Sequence, residues 1–321
     1  DGRRGGVLPP VLAVTFDHVS FGYELEKAKA DGEPSDGDTP TGDGEAPVKE
    51  MVLHDLSFSL APGTVLGLLG RTGSGKTIAF YLPGMIRIGE TISTDHWVKA
   101  VAIYPRIELL KDQFAEAFRM ARTIDQTLAS HGRRPMMIGA LFGKTPTRAT
   151  RQELTDKTWA QRGEDFVCPW MRCPRCDNEL VWRAVDIAVG TERLACVQPN
   201  CGQEIGDDQI VLTRTSLQRN PPDILFTTTE ILNQRLSDHW MRGLFGVGLT
   251  SARKPLLALL DEVHTYEGGT GAQAALTLRR WRHLLASPIS WVGLSATLGD
   301  AARFFSDLTG ADLDDVVEIT P

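Results

Sequence analysis

No apolar run in this 321-residue chain reaches the roughly 18 to 20 residues that a membrane-spanning helix needs. The longest candidates are broken by Gly, Pro or charge, so the chain is not expected to cross a bilayer. A basic excess is missing too. Against 34 Lys and Arg stand 41 Asp and Glu, a formal net charge of -7, which gives no global attraction to a polyanion while leaving room for a local basic face. Cysteine is absent outside Cys168 to Cys201, where all five fall. A disulfide framework is spread through a secreted domain, so this clustering favours metal in a reducing, cytoplasmic compartment. Also lacking are a secretory signal pattern, an initial Met and any internal repeat. The start reads as internal to a longer reading frame.

The length suits one large domain or two modest ones. Residues 11–23, "VLAVTFDHVSFGY", alternate apolar and polar residues as a half-exposed strand does. From Glu24 to Glu50 nine acidic residues stand against three basic ones among Gly and Pro. Such a segment buries too little apolar surface to offset its ordering entropy and reads as a solvated acidic loop, with an acidic binding tail as the alternative. Strand character returns at "MVLHDLSFSL" and "TVLGLLG", a helix is expected from Ile78 to about Gly89, and "KAVAIYP" reads as a buried strand followed by a helix from about Glu108. Beyond Cys201, "DILFTTT", "LLALLDE" and "SWVGLSAT" read as strands separated by helices. This alternation predicts an α/β fold: a mainly parallel sheet with helices on both faces.

Gly70 to Thr77, "GRTGSGKT", fits G-x-x-x-x-G-K-[ST] between an apolar strand and a helix. This is the P-loop pattern of an NTPase. Gly70, Gly73 and Gly75, with Thr72 and Ser74 between them, let backbone N–H groups wrap phosphates; Lys76 reaches the β and γ phosphates and Thr77 ligates Mg²⁺. The required acidic partner is offered by "LLALLDEVH", Leu256 to His264, in which Asp261 would hold Mg²⁺ and Glu262 would orient or deprotonate the attacking water. ATP and Mg²⁺ are the expected cofactors. "SAT", Ser295, Ala296 and Thr297, follows another buried strand and fits a sensor linking the nucleotide site to a partner domain. His264 reads either as the link between that site and the sensor or as a structural hydrogen-bonding group.

Two families are resembled on either side of Lys76. "FDHVSFGY" and "VLHDLSFSLAPGTVLGLLGRTGSGKT" resemble the opening of an ATP-binding-cassette transporter nucleotide-binding domain, which implies that Tyr23 stacks on adenine; no LSGGQ-like signature follows. From Lys76 onward the chain resembles the first RecA-like motor domain of a superfamily-two DEAD/DEAH-box helicase, Lhr-like with a cysteine cluster. "AIYPRIELLKDQ", "LFGKTP", "PPDILFTTTEILNQRL", "LLDEVHTYEGGTGAQAALTLRRWR" and "GLSATL" carry that likeness in order. The pair implies a chimera joined near Gly73 to Thr77. It also implies a translocase that grips a nucleic-acid backbone through strand-end residues, for which Arg106, Lys144, Thr145, Thr228 and Thr229 are the candidates. DNA is favoured over RNA, single- or double-stranded. A second motor domain or partner chain is expected beyond the end of the chain, and weak ATP hydrolysis without it.

Cys173-x₂-Cys176 and Cys196-x₄-Cys201, nineteen residues apart, suit four thiolates around a structural Zn²⁺. Cys168 is the spare, buried or substituting for Cys173. The intervening segment predicts a β-hairpin in a zinc-ribbon-like insertion that either touches nucleic acid or only packs on the motor. The expected division is a strand over 1–23, the acidic loop at 24–50, the first part of the motor at 51–160, the insertion at 161–210 and the rest of the motor at 211–321. The competing functions are a transporter ATPase fragment and a non-catalytic, zinc-stabilised nucleic-acid-binding fragment.

Overall fold

The computed structural model describes residues 14–24, 49–60, 65–69, 76–295 and 298–319, with side chains from Phe80 onward except those of Glu108, Asp112 and Ile319. In chain order the strands and helices are β1 (Val14–Glu24), β2 (Lys49–Leu60), β3 (Val65–Leu69), α1 (Lys76–Thr91), β4 (Ala100–Tyr104), α2 (Ile107–Ser130), β5 (Ile138–Leu141) and α3 (Arg151–Asp156). An insertion follows, with β6 (Gln161–Arg162), β7 (Asp165–Val167), β8 (Leu180–Trp182), α4 (Ala184–Ala188), β9 (Leu194–Cys196) and β10 (Glu204–Ile205). The chain then continues through β11 (Ile210–Val211), α5 (Arg214–Arg219), β12 (Ile224–Thr228), α6 (Thr229–Leu236), β13 (Leu257–Leu260), α7 (Gly268–Leu285), β14 (Ser290–Ser295), α8 (Ala301–Thr309) and β15 (Val316–Ile319).

Eight strands form one sheet in the order β11-β5-β12-β4-β13-β14-β3-β15, and its pairings are parallel. The expected α/β architecture is therefore present. Successive residues of β4 point to opposite faces and enter two different cores. Ala100, Ala102 and Tyr104 join Phe80 and Tyr81 of α1 and Phe114 and Phe118 of α2, whereas Val101 and Ile103 join Leu278 and Trp281 of α7 and Phe305 of α8. Burial on both faces is why these strands read as continuous apolar runs rather than alternating ones.

Helix α2 buries Leu110, Phe114, Ala117, Phe118 and Ala121, a 3.6-residue stripe facing the sheet. Helix α1 contains Pro83 and lies so close to β13 that a Cβ on Gly84 would come within 2.6 Å of Leu257 Cδ2. A side chain at Gly84 would push that Leu257 methyl group aside.

Strands β1 and β2 pair antiparallel in a separate two-stranded sheet. The acidic segment at 25–48 lies outside the described residues. The strands of the insertion form a five-stranded antiparallel sheet, β10-β9-β8-β7-β6. The expected hairpin is present, since β8 and β9 pair antiparallel, with the short helix α4 in the connection between them. The Asp165 carboxylate accepts the Ala184 N–H, Ile187 is buried and Val185 exposed, so the apparent alternation of this stretch belongs to a helical turn. No described helix is long and apolar enough to cross a membrane.

Candidate functional site

The carboxyl ends of the parallel strands, where open α/β sheets bind ligands, gather most of the sequence candidates. On one half of this edge β3 leads toward α1, whose first residues are Lys76 and Thr77, while neighbouring β13 and β14 end at Asp261 and Ser295. Gly70, Thr72, Gly73, Ser74, Gly75, Ala296 and Thr297 lie outside the described residues, as do the side chains of Tyr23, Lys76 and Thr77.

Asp261 is 2% exposed, and its carboxylate accepts the N–H of Glu262 at 2.8 Å. Glu262 is held in the left-handed region (φ 49), a conformation that costs a non-glycine residue free energy and recurs at functional turns. Its carboxylate lies 3.3 Å from His264 Nδ1, and the same nitrogen is 3.4 Å from Ser295 Oγ. The two strand ends are thereby bridged through one imidazole. Three of the four tyrosines in the chain lie near Asp261. Tyr81 and Tyr104 hydrogen-bond through their hydroxyls, and Tyr266 is buried with no partner for its hydroxyl among the described residues. Burial first, with Asp261 among the lesser causes, holds all three above the usual phenol range. They remain neutral and polar beside the buried carboxylate.

On the other half, β4, β12 and β5 end at the remaining candidates. Arg106 is exposed, Thr229 half-buried and Lys144 exposed, and neither Arg106 nor Lys144 pairs with a carboxylate among the described residues. Two of the candidates are less open than the others. Thr145 is fully buried, its hydroxyl donating to the Ala140 carbonyl at 2.9 Å and accepting the Phe142 N–H at 3.1 Å; it shapes its loop from inside. Thr228 is 7% exposed, and its hydroxyl caps α6 by accepting the Ile231 N–H. The loop tie spends the Thr145 O–H, whereas the Thr228 hydroxyl, which only accepts as a cap, keeps its O–H to donate.

A cleft of about 530 Å³ runs between α6 and α7, lined by Arg106, Thr229, Asn233, Tyr266, Gln273 and Arg280 among others. Arg280 bridges the two helices, donating to Asn233 Oδ1 at 3.3 Å and Ser237 Oγ at 2.8 Å. Both partners are neutral, so the guanidinium keeps its charge for an anion in the cleft. Gln273 and Arg280 were missed in the sequence; their seven-residue spacing, which puts both on one helix face, was the available signal. Trp281, on the same helix, is fully buried and donates to the Phe245 carbonyl.

Away from the strand edge, the sulfurs of Cys173, Cys176, Cys196 and Cys201 all lie within 4.8 Å of one another. Cys173 and Cys201 are 3.7 Å apart and Cys176 and Cys196 3.4 Å. A tetrahedron with Zn–S bonds of about 2.3 Å has sulfurs roughly 3.8 Å apart, and a disulfide would bring a pair to about 2.05 Å. The donor set thus fits a tetrahedral thiophilic ion. Cys168 stands apart, buried, with burial pushing its thiol up to about 11; a neutral buried thiol is inert.

A family model of the DEAD/DEAH box helicases matches residues 51–160, stopping where the insertion begins. Similar proteins include the following three. Druantia protein DruE of Escherichia coli (strain UMEA 4076-1) is 26% identical over 307 residues, covering 83% of this chain and 17% of DruE. Lhr helicase/uracil glycosylase of Escherichia coli (strain K12) is 39% identical over 98 residues, 30% of this chain and 6% of that protein. Mycobactin import ATP-binding/permease protein IrtA of Mycolicibacterium smegmatis (strain ATCC 700084 / mc(2)155) is 35% identical over 113 residues, 31% of this chain and 13% of that protein. The last is the transporter likeness read in the sequence. This chain spans only a small part of each relative's length. The parallel sheet, the acidic strand end beside the first helix and the family match point the same way: residues 51–160 carry the likeness to the DEAD/DEAH box helicases, and the rest of the chain is similar to DruE at lower identity.

Proposed function

We propose that the chain is the ATP-binding motor domain of a nucleic-acid translocase, with DNA the favoured strand, working in the cytoplasm and completing its ATPase cycle with a second motor domain or partner chain. One observation carries this reading. Asp261, Glu262 and Ser295 share a single strand edge with Arg106, Thr229 and Lys144, so nucleotide and strand would be held by adjacent loops of one rigid sheet. Lys76 contacts the β and γ phosphates of ATP, Thr77 and Asp261 hold Mg²⁺, and Tyr23 stacks on the adenine. Glu262 orients or deprotonates the attacking water. His264, between Glu262 and Ser295, passes the state of the nucleotide to the strand that carries Ser295, Ala296 and Thr297.

Arg106, Lys144 and Thr229, joined by Arg280, grip phosphates without reading bases. Zn²⁺ at Cys173, Cys176, Cys196 and Cys201 is structural, binding with no open ligand position, in an insertion spanning residues 161–210. The deciding experiment is binding of a labelled single-stranded oligodeoxythymidine at fixed salt, with and without ATP and Mg²⁺. A nucleotide-dependent change in affinity that disappears in Lys76→Ala is expected. Binding that ignores nucleotide supports instead a passive zinc-stabilised binder.

A further inference from the structure

The insertion does more than sit beside the motor. Its entry residue Trp159 packs edge-on to Trp170, with ring centres 5.3 Å apart, and near Trp182, while Trp170 meets Phe142 at the start of the strand-end loop. Trp159 Nε1 also donates to the backbone carbonyl of Lys144 at 2.8 Å. From the other side comes Glu192, 6% exposed, between α4 and β9. Its carboxylate accepts the N–H groups of Leu212 (2.5 Å) and Thr213 (3.3 Å) and the Thr213 hydroxyl (2.6 Å). Thr213 caps α5, and the next two residues donate backbone N–H groups to the same loop, Arg214 to the Pro146 carbonyl and Thr215 to the Thr147 carbonyl. The 143–147 loop is therefore held at one end by Trp159, packed on the insertion's tryptophans, and at the other by a chain of hydrogen bonds that starts at Glu192 within the insertion.

We propose that the insertion is a brace for strand binding: Trp159 and Glu192 are positioning residues that hold the 143–147 loop in the shape that presents Lys144 to a nucleic-acid backbone. Neither residue touches the strand. The proposal rests on the nucleic-acid reading above and answers what the insertion does for it. Charge supplies a discriminating sign. Replacing Glu192 by Gln removes a negative charge from the chain, so a purely electrostatic effect would strengthen binding to a polyanion. Loss of the brace would weaken it.

The experiment is anisotropy of the labelled oligodeoxythymidine across a salt series, on the full 321-residue chain, for wild type, Glu192→Gln, Trp159→Phe, Lys144→Ala and the Glu192→Gln/Lys144→Ala double variant. Bound zinc and thermal melting are recorded for each. The brace predicts that Glu192→Gln weakens binding about tenfold, the size of a lost charge-assisted hydrogen bond, with zinc retained and with affinity for ATP unchanged. It also flattens the salt slope as Lys144→Ala does, by about 0.7 for one phosphate contact on a single strand. The double variant is no weaker than Lys144→Ala alone, because both changes remove one interaction. Should Glu192→Gln lose its zinc, Trp159→Phe decides where it keeps its own zinc and melting temperature, since it removes the N–H donor and leaves a smaller aromatic ring in place. Wild-type affinity and slope in these variants beside a weakened Lys144→Ala, or additivity in the double variant, overturns the brace alone. No strand binding by wild type overturns the nucleic-acid reading on which it rests.

Discussion

At the residue scale, the most consequential single group away from the strand edge is Asp223, which is fully buried with Lys99. It takes charge from Lys99 Nζ at 2.8 Å and from Arg134 at 2.6 Å, and accepts the Met137 N–H at 2.8 Å, tying the amino ends of β4, β5 and β12. Removing one partner of such a pair leaves an uncompensated buried charge. Asp223→Ala is expected to cost about 3–5 kcal/mol in urea unfolding, and a loss within ordinary surface scatter would refute the role. The carboxyl also sets a pH dependence. Burial pushes its pKa up, but hydrogen bonding from Arg134 and the charges of Lys99 and Arg134 outweigh burial and hold it below the usual range. The folded state thus binds fewer protons here than the unfolded chain. The stabilisation is present above the ordinary Asp value of about 3.9 and is lost as pH falls below it. Wild type should lose stability in that acid window more steeply than Asp223→Asn.

At the element scale, α7 begins against the turn that carries Glu262 and His264. A Cβ on Gly271 would lie 2.1 Å from the Tyr266 carbonyl oxygen, and backbone cannot move aside as a flexible side chain can. Gly271→Ala is expected to shift α7 from that turn, destabilise the fold by about 1–3 kcal/mol in urea unfolding, and weaken strand binding through Arg280. The insertion is the other element whose stability can be tested alone. Its small sheet buries Trp170 and Trp182, yet its strands are two or three residues long, too short to stand without a staple. Chelation of the metal should abolish the near-ultraviolet circular dichroism of Trp159, Trp170 and Trp182 while the Trp281–Trp291 contact keeps its own signal. A spectrum unchanged by chelation would remove the metal from the folding of the insertion.

At the scale of the whole molecule, the parallel sheet places the two groups of candidate residues on opposite halves of one edge, with β4 and β13 adjacent at the middle. A rigid sheet transmits a change at Asp261 to Arg106 only through the loops at its strand ends. His264→Ala is therefore expected to leave ATP affinity within about twofold, since it removes a group bonded to Ser295 rather than to phosphate, and to abolish the nucleotide dependence of strand binding. Equal strand affinity with and without ATP in this variant, beside a clear difference in wild type, is the predicted outcome. A retained difference would place the coupling elsewhere. The front of the chain shows a division of its own: β3 is bonded between β14 and β15 inside the motor sheet, whereas β1 and β2 pair with each other. Of the transporter-like opening, β3 is therefore integrated in the motor sheet.

The sequence by itself determined what local chemistry can specify. The P-loop spacing, the acidic pair after an apolar run, the paired cysteines and the strand–helix alternation are patterns of residue type and interval, and each marked its segment without reference to distant ones. The β-branched and apolar runs of β4, β12, β13 and β14 announced strands buried on both faces because no polar face had to be kept. Tertiary structure alone decided which side chains face outward at the strand ends. Thr145 has the chemistry of a backbone contact, yet its O–H is spent on a loop carbonyl, while Thr228 caps α6 by accepting and keeps its O–H, a difference set by how β5 and β12 terminate. Arg280, Gln273, Trp159 and Glu192 act on segments far from them in sequence. Their partners come within reach only when α7 packs against α6 and the insertion folds onto the loop after β5, because such contacts depend on distances that no residue spacing encodes.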